Sequence, residues 1–485
     1  MDIVMKSIIT EKDLLRQILL LEQLSNHPKI TAKELASLIH TTERTIFSDI
    51  QYIRTQLPPD WSIEADSNGL SLIKHSAQLT HQLWESFLPL SIGVSLIKQL
   101  FFNKEVLTQL FLQDNGISYE TLKRHITKIN RSLKPYDIRI RLNSKEAMLL
   151  GNEGNIRIFF HRLLLPFTHN NYFFEDYTIH ESHYLRFLEK LKRNDLHVSV
   201  EQIFGTCWFF INTIRIKANC RVGEFSFEPK DPLFLQYQPF LFDVYQKEGV
   251  YLEESDCFFC FYCFLESWNY NNQWSDKVAE TLEHYFTVKK SVQHFVADLD
   301  HELELPLSSE TQLADNLLLM LLRANESANL SQQFQLEYQE IISIRHHESC
   351  EKIFEQLATF LSTSNVGSAV KKPEYLLNTA SLLVQQAMSQ VHPVKVRAFF
   401  FFQGEPAWKV FLQQEISDYL GKRIQLIPVE PSEFTAVQTK KGDFILSNYP
   451  LDDPDLPVFY LSMFPTKNEL NQLTELIQNY YLINQ

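Results

Sequence analysis

The chain has 485 residues, 45% of them hydrophobic and 21% charged, which is long enough for several domains with their own cores and too apolar for global disorder. Only 12 residues are glycine, as suits a helix-rich protein, and the phosphate-loop and catalytic patterns GxxxxGK, GxGxxG, GxSxG and HExxH are absent. A net charge of −14, taken alone, argues against a nucleic-acid partner.

The opening "MDIVMKSIITEKD" lacks the layout of a signal peptide. The longest apolar runs, such as "FFCFYCFL" at 258–265, are far shorter than the about 18 residues that mark a membrane span. Six cysteines without a paired framework point to a reducing compartment, so a cytoplasmic protein with no membrane partner is expected.

Thr31 and Glu34 have capping-box spacing, which opens a helix expected to bury Leu35, Leu38 and Ile39. His40 and Thr41 break it. Thr42 then caps a second helix striped by Ile46, Ile50, Ile53 and Leu57. On a wheel centred on the isoleucines, Arg44, Ser48, Gln51 and Thr55 point away from the core, with Thr45 and Tyr52 beside them. Such side chains contact phosphates and base edges in a major groove. After Pro58 and Pro59 comes "WSIEADSNGLSLIK", an alternating hairpin that turns at Ser67, Asn68 and Gly69.

The same order returns 76 residues later. Leu122, Ile126, Ile129 and Leu133 repeat the stripe, Pro135 the break, and "YDIRIRLNSKEAMLL" the hairpin, turning near Asn143 and Ser144. Any amphipathic helix yields such a stripe. Helix, proline and hairpin repeated together predict two winged helix-turn-helix units, 1–76 and 77–155, for double-stranded DNA. In the second copy Lys123, Arg124, Lys128 and Arg131 project from the helix capped by Ser118, with Arg139 and Arg141 on the wing. Between Ser118 and Lys145 eight basic residues face two acidic ones, so the acidity of the chain lies elsewhere. This copy is expected to supply most of the phosphate-dependent affinity, and Arg44, Ser48 and Gln51 more of the base readout.

Beyond "LLGNEGNIRIFFHRLL" long aromatic helical segments suggest two bundles, 156–277 and 278–390. In "SDCFFCFYCFLESW", Cys257, Cys260 and Cys263 have a spacing that resembles metal ligation. Structural zinc needs four ligands and no fourth is evident, so these read as buried small hydrophobes and no metal or cofactor is expected. From 391 to 485, apolar strands ("VKVRAFFFFQG", "RIQLIPV", "DFILSN", "PVFYLSMF") alternate with helices, the pattern of a small, largely parallel α/β domain.

This layout resembles the Mga/AtxA family of virulence regulators. The resemblance is carried by "TAKELASLIHTTERTIFSDI", "ISYETLKRHITKINRSL", "LLGNEGNIRIFF" and the terminal α/β pattern. It implies a mainly α, multidomain chain: two winged helix-turn-helix units, two helical phosphotransferase-regulated domains (PRDs), and a domain similar to the EIIB component of sugar phosphotransferase systems. It further implies a transcription regulator whose PRD histidines take phosphate from a phosphocarrier of the HPr or EIIB type. His197 and His346 are the favoured acceptors, with His183 and His284 as further candidates. His284 and His346 have the spacing of about 60 residues that PRD histidine pairs tend to show, and the first bundle has no such pair.

A thiol-type EIIB enzyme needs a cysteine in the loop after its first strand. That loop here is "FQGEPAW", and the last cysteine is Cys350, so no enzyme activity is expected. The retained fold points instead to homodimer contacts, with Phe399–Phe402, Trp408, Tyr449 and Tyr460 as its aromatics. Two alternatives compete: a phosphotransferase EIIB-type enzyme, and a PRD-containing RNA-binding antiterminator. The missing cysteine counts against the first, and the helical rather than β-rich N-terminus against the second.

Overall fold

The computed structural model describes residues 3–75, 80–167, 172–174, 177–335, 351–363, 373–391, 396–402, 406–421, 424–429, 439, 442–451, 455–462 and 464–483. The chain divides into two compact units, 1–284 with 326–334, and 285–325 with 335–485.

The first unit opens with α1 (Ile3–Ile8). It is followed by α2 (Lys12–Asn26), α3 (Ala32–Leu38), α4 (Glu43–Gln56) and a hairpin of β1 (Trp61–Asp66) and β2 (Gly69–Lys74). The capping box forms: Thr31 Oγ1 accepts from the Glu34 amide at 3.2 Å, and the Glu34 carboxylate accepts from the Thr31 amide at 2.9 Å. Ile46, Ile50 and Ile53 are buried, and Leu57, which ends α4, is half-buried. Leu38 departs from expectation at 52% exposed, and Ile39 is half-buried. Because α3 ends at Leu38, its inward stripe stops a turn early, and Leu35 and Ala36 make the contact. At the hairpin turn Gly69 has φ +136°, and a Cβ there would lie 2.7 Å from the Ile30 carbonyl oxygen, so a side chain would be strained and crowded.

The repeat follows as α5 (Thr80–Glu85), α6 (Ile92–Phe102), β3 (Glu105–Leu107), α7 (Thr108–Asn115), α8 (Tyr119–Leu133), β4 (Arg139–Leu142) and β5 (Glu146–Leu150). Strand β3, which no alternation in the sequence predicts, makes the second wing three-stranded in the order β3-β5-β4. In the first copy its place is held by a single bridge between Ile30 and Leu70.

Among the described residues the first unit continues with α9 (Glu153–Leu164), α10 (Tyr177–Arg193), α11 (Gln202–Lys217), α12 (Pro232–Lys247), α13 (Glu254–Glu266) and α14 (Asp276–Leu282). Helix α13 packs against both α11 and α12 and is buried from Asp256 to Leu265, hence its all-round apolar sequence. Cys257, Cys260 and Cys263 are all within this core. Burial pushes the Cys260 thiol up to about 12, which makes it a packing group rather than a ligand or nucleophile.

The core also encloses an ion. Arg157 is fully buried and donates to Asp256 Oδ1 at 3.1 Å, Asn212 Oδ1 at 3.2 Å and the Cys220 carbonyl at 2.9 Å. Asp256 also accepts from Arg221 at 2.8 Å and the Val222 amide at 3.2 Å.

The second unit holds α15 (Phe286–Leu303), α16 (Leu307–Glu310), most of α17 (Leu313–Leu330), α18 (Glu351–Thr363) and α19 (Pro373–Val391). Its sheet has β6 (Val396–Phe401), β7 (Ile424–Pro428), β8 (Phe444–Ser447) and β9 (Val458–Tyr460), all parallel, in the order β7-β6-β8-β9. Val396, Ala398, Phe400 and Phe402 face the core that includes Leu412 and Ile416 of α20 (Pro406–Leu420) and Leu473 of α21 (Lys467–Ile483). Phe399 and Phe401 face Val429 and Ile445 on the other side. The phenylalanine run is therefore interior on both faces, so these four aromatics are not available to a dimer partner. Trp408 and Tyr449 are half-buried and Tyr460 is 51% exposed.

Replacing Asp256 by Ala leaves Arg157 buried beside an empty acceptor position. The expected cost is ~3–5 kcal/mol, read as a lower urea midpoint for the first unit. An unchanged midpoint would mean that Asn212 and the Cys220 carbonyl satisfy the guanidinium without it.

Candidate nucleic-acid interface

The two reading helices are built alike because the local chemistry repeats at the same offset. Thr42 Oγ1 accepts from the Thr45 amide at 3.2 Å and pairs with the Thr45 hydroxyl at 2.9 Å; Ser118 does the same with Thr121 at 3.2 and 2.9 Å. Each helix is then pinned to its wing. Arg54 donates to the Ile63 carbonyl at 3.2 and 2.8 Å. Asn130, at the equivalent place on α8, exchanges two hydrogen bonds with the Ile140 backbone at 3.0 and 2.7 Å. Arg16 fixes α4 from behind, donating to Asp49 at 2.6 and 2.9 Å.

On α4 the side chains of Arg44, Ser48, Gln51 and Tyr52 are exposed, whereas Thr45 is half-buried with its hydroxyl in the cap. Phe47, which the helical wheel did not single out, is 52% exposed on the same helix. Its signal was legible: an aromatic outside the isoleucine stripe. Its ring is suited to a thymine methyl.

On α8, Lys123, Arg124, Lys128 and Arg131 are exposed, and Arg139 is exposed on β4. Arg131 and Arg139 line one cleft of about 740 Å³ with Thr127, Asn130 and Lys134. Lys134, another residue missed from the sequence, adds a third cation there. Arg141 is turned along its wing, 3.0 Å from Met148 Sδ and 3.4 Å from Glu146. Lys128 Nζ donates to the Thr10 carbonyl at 2.8 Å, so its charge is drawn towards the N-terminal segment.

The histidine candidates scatter. His197 is exposed between α10 and α11, and His284 is exposed with Nδ1 3.1 Å from the Thr281 carbonyl. His346 lies outside the described residues. His183 has a defined site: its Nδ1 is 2.6 Å from Glu248 Oε1, His180 Nδ1 is 2.7 Å from Oε2, and Lys217 Nζ is 3.6 Å from that oxygen. Burial pushes the Glu248 carboxyl up, but the two imidazoles outweigh it and hold it down at about 2. Spacing could suggest the His180 and His183 pair; Glu248, 65 residues further on, could not be paired with it from sequence.

Three family models match the chain. Residues 11–69 match the M protein trans-acting positive regulator (MGA) HTH domain, and residues 76–164 the Mga helix-turn-helix domain. Residues 284–390 match a non-canonical single-stranded DNA-binding domain. The capsule synthesis positive regulator AcpB of Bacillus anthracis is 23% identical over 97% of this chain and 99% of its own length. The anthrax toxin expression trans-acting positive regulator of the same organism is 20% identical, over 96% and 98%. The chain thus carries two Mga-type helix-turn-helix domains and is similar along nearly its whole length to regulators of the Mga/AtxA kind. A putative trans-acting regulator of Streptococcus pneumoniae is 28% identical over 161 residues, and there the match covers 32% of the relative's length. The two copies of the repeat coincide with the two matched helix-turn-helix domains.

Changing Lys123, Arg124 and Arg131 together to Ala is expected to weaken binding to all DNA sequences. It should also flatten log affinity against log salt by about 0.9 for each phosphate left without its cation. Arg44→Ala is expected instead to cost ~1–3 kcal/mol on the best site and to relax preference at one or two positions. Titrations over a salt series check both, and unchanged affinity in the triple variant would move the DNA surface elsewhere.

Proposed function

We propose that this chain is a DNA-binding transcription regulator that reads double-stranded DNA with α4 and α8. The observation that supports it is the paired reader itself: two helices with the same cap and the same wing anchor, carrying exposed Arg44, Ser48 and Gln51 in one and Lys123, Arg124 and Arg131 in the other. The relatives named as positive regulators over nearly their whole length support the same reading. Residues 284–390 carry seven Lys and Arg against thirteen Asp and Glu, so a general electrostatic grip on single-stranded DNA is disfavoured there.

Residues 156–277 and 278–390 act in this reading as PRD-like sensors, and residues 391–485 as an EIIB-like domain that has lost its nucleophile. His183 is the acceptor best supported by geometry. Glu248 holds its Nδ1 and orients the ring, leaving Nε2 as the nitrogen turned from the carboxylate. Incubation with phosphorylated HPr is expected to give an acid-labile label that falls in His183→Ala. Labelling lost only in His197→Ala or His346→Ala would move the site, and no labelling under conditions that label a known PRD would remove it.

The regulator acts as a homodimer, since pairing two readers adds affinity without new contact types. With Phe399–Phe402 interior, the dimer surface of the C-terminal domain falls to exposed Phe411, Phe464 and Tyr460. Chain mass by light scattering is expected to be that of two copies, and of one copy after truncation at Val391. A truncated chain that stays dimeric would place the contact elsewhere.

A further inference from the structure

We infer that the segment from Ile3 to Glu11 is a clamp that locks the two DNA readers into one rigid pair, with Glu11 as its central positioning residue. This rests on the reading of α4 and α8 as DNA-contacting helices. Glu11 serves two helices at once. Its carbonyl accepts from the Leu15 amide at 3.0 Å, starting α2 of the first reader. Its carboxylate accepts from the Ile92 amide at 2.8 Å and the Ser91 hydroxyl at 2.9 Å, at the N-terminus of α6 in the second. A carboxylate in that position satisfies an orphan donor and opposes the positive end of the helix.

Helix α8 grips the same segment along its length. Lys128 Nζ donates to the Thr10 carbonyl at 2.8 Å, the His125 ring bonds the Thr10 hydroxyl, and the Ser132 hydroxyl donates to the Ser7 carbonyl at 2.9 Å. Met5, Ile8 and Ile9 are buried. A Cβ on Gly93 would lie 2.2 Å from the Ile8 carbonyl oxygen, so only glycine lets α6 come this close. On the other side Lys6 pairs with Glu22 of α2 at 3.0 Å, and Arg16 of α2 holds Asp49 of α4. A continuous set of contacts therefore runs from α8 through Thr10 and Glu11 to α2 and on to α4. Only residues 9–11 separate α1 from α2, which leaves no slack. At the repeat position where Asp49 binds its own unit, α8 carries His125, which binds the clamp instead.

A rigid pair reads one composite site whose two halves stand at a fixed spacing, because each inserted base pair turns the second half by about 35°. The test uses full-length protein and duplexes in which one or two base pairs are inserted between the two footprints. Wild type is expected to lose about tenfold or more in affinity per insertion. Glu11→Ala with Gly93→Val is expected to bind the parent and the inserted duplexes within a few-fold of one another. Wild type that tolerates the insertions would overturn the clamp while leaving DNA binding intact; wild type without sequence-specific binding would overturn the underlying reading. A DNA-free measurement separates the two further. Spin labels at Glu64→Cys and Lys145→Cys, one on each wing, are expected to give a narrow distance distribution that broadens in the double variant. Equal widths would overturn the clamp.

Discussion

A guanidinium with no access to water must be matched on every side, and Arg157 sets that demand at the centre of the first unit. Its partners come from three helices and a loop: Glu153, Asn212, Asp256 and the Cys220 carbonyl. Glu153 is shared, accepting also from Arg215 at 2.8 and 2.9 Å. Arg215 in turn donates to the Leu100 carbonyl at 2.6 Å, in the last turn of α6. The network thus joins the helical half of the unit to the second DNA reader. Such buried pairs add little net stability against an apolar substitute, but they tolerate few alternative arrangements. Their value here is geometric.

That geometry gives the histidine site a physical route to the reader. Lys217 follows Arg215 by two residues on the final turn of α11, and Lys217 lies beside the Glu248 carboxylate that faces His180 and His183. A phosphoryl group on Nε2 of His183 would bring about two negative charges to the far side of the ring that faces that carboxylate. Repulsion from Glu248 would act on the end of α12 and attraction to Lys217 on the end of α11, whose last turn also carries Arg215 and its link to α6. The same helix would therefore feel both the proposed modification and the reader, which is the minimum a charge switch requires.

What the sequence disclosed divides along the range of the interactions. Caps, stripes and turns are local, so Thr42 and Ser118, the two isoleucine-rich stripes and the Gly69 turn were legible, and their recurrence revealed the duplicated reader. The parallel sheet was legible too, because a strand covered on both faces becomes a continuous apolar run such as Phe399–Phe402. Non-local pairings were not. Glu248 meets His183 across 65 residues and Lys128 meets Thr10 across 118, and neither spacing is encoded in any local pattern. Lys128 shows the limit well: it projects from α8 and is exposed, and its amine also donates to a backbone carbonyl brought in from the N-terminal segment. Leu38 shows another, since a stripe predicts burial only while the helix lasts.

The acidity of the chain follows from the same division. DNA contact needs cations only where phosphates pass, and eight basic residues against two acidic ones lie between Ser118 and Lys145. Elsewhere a net negative charge repels the duplex, so an encounter in the wrong orientation is weakened rather than held. The total of −14 is therefore no obstacle to DNA binding. In the proposed reading it would narrow the approach to the face carrying Arg124, Arg131, Lys134 and Arg139, and leave the α4 face, with one arginine among Ser48, Gln51, Tyr52 and Phe47, to act by complementarity at short range. In the proposed reading, affinity from one copy and discrimination from the other would be a division of labour that two identical readers could not achieve.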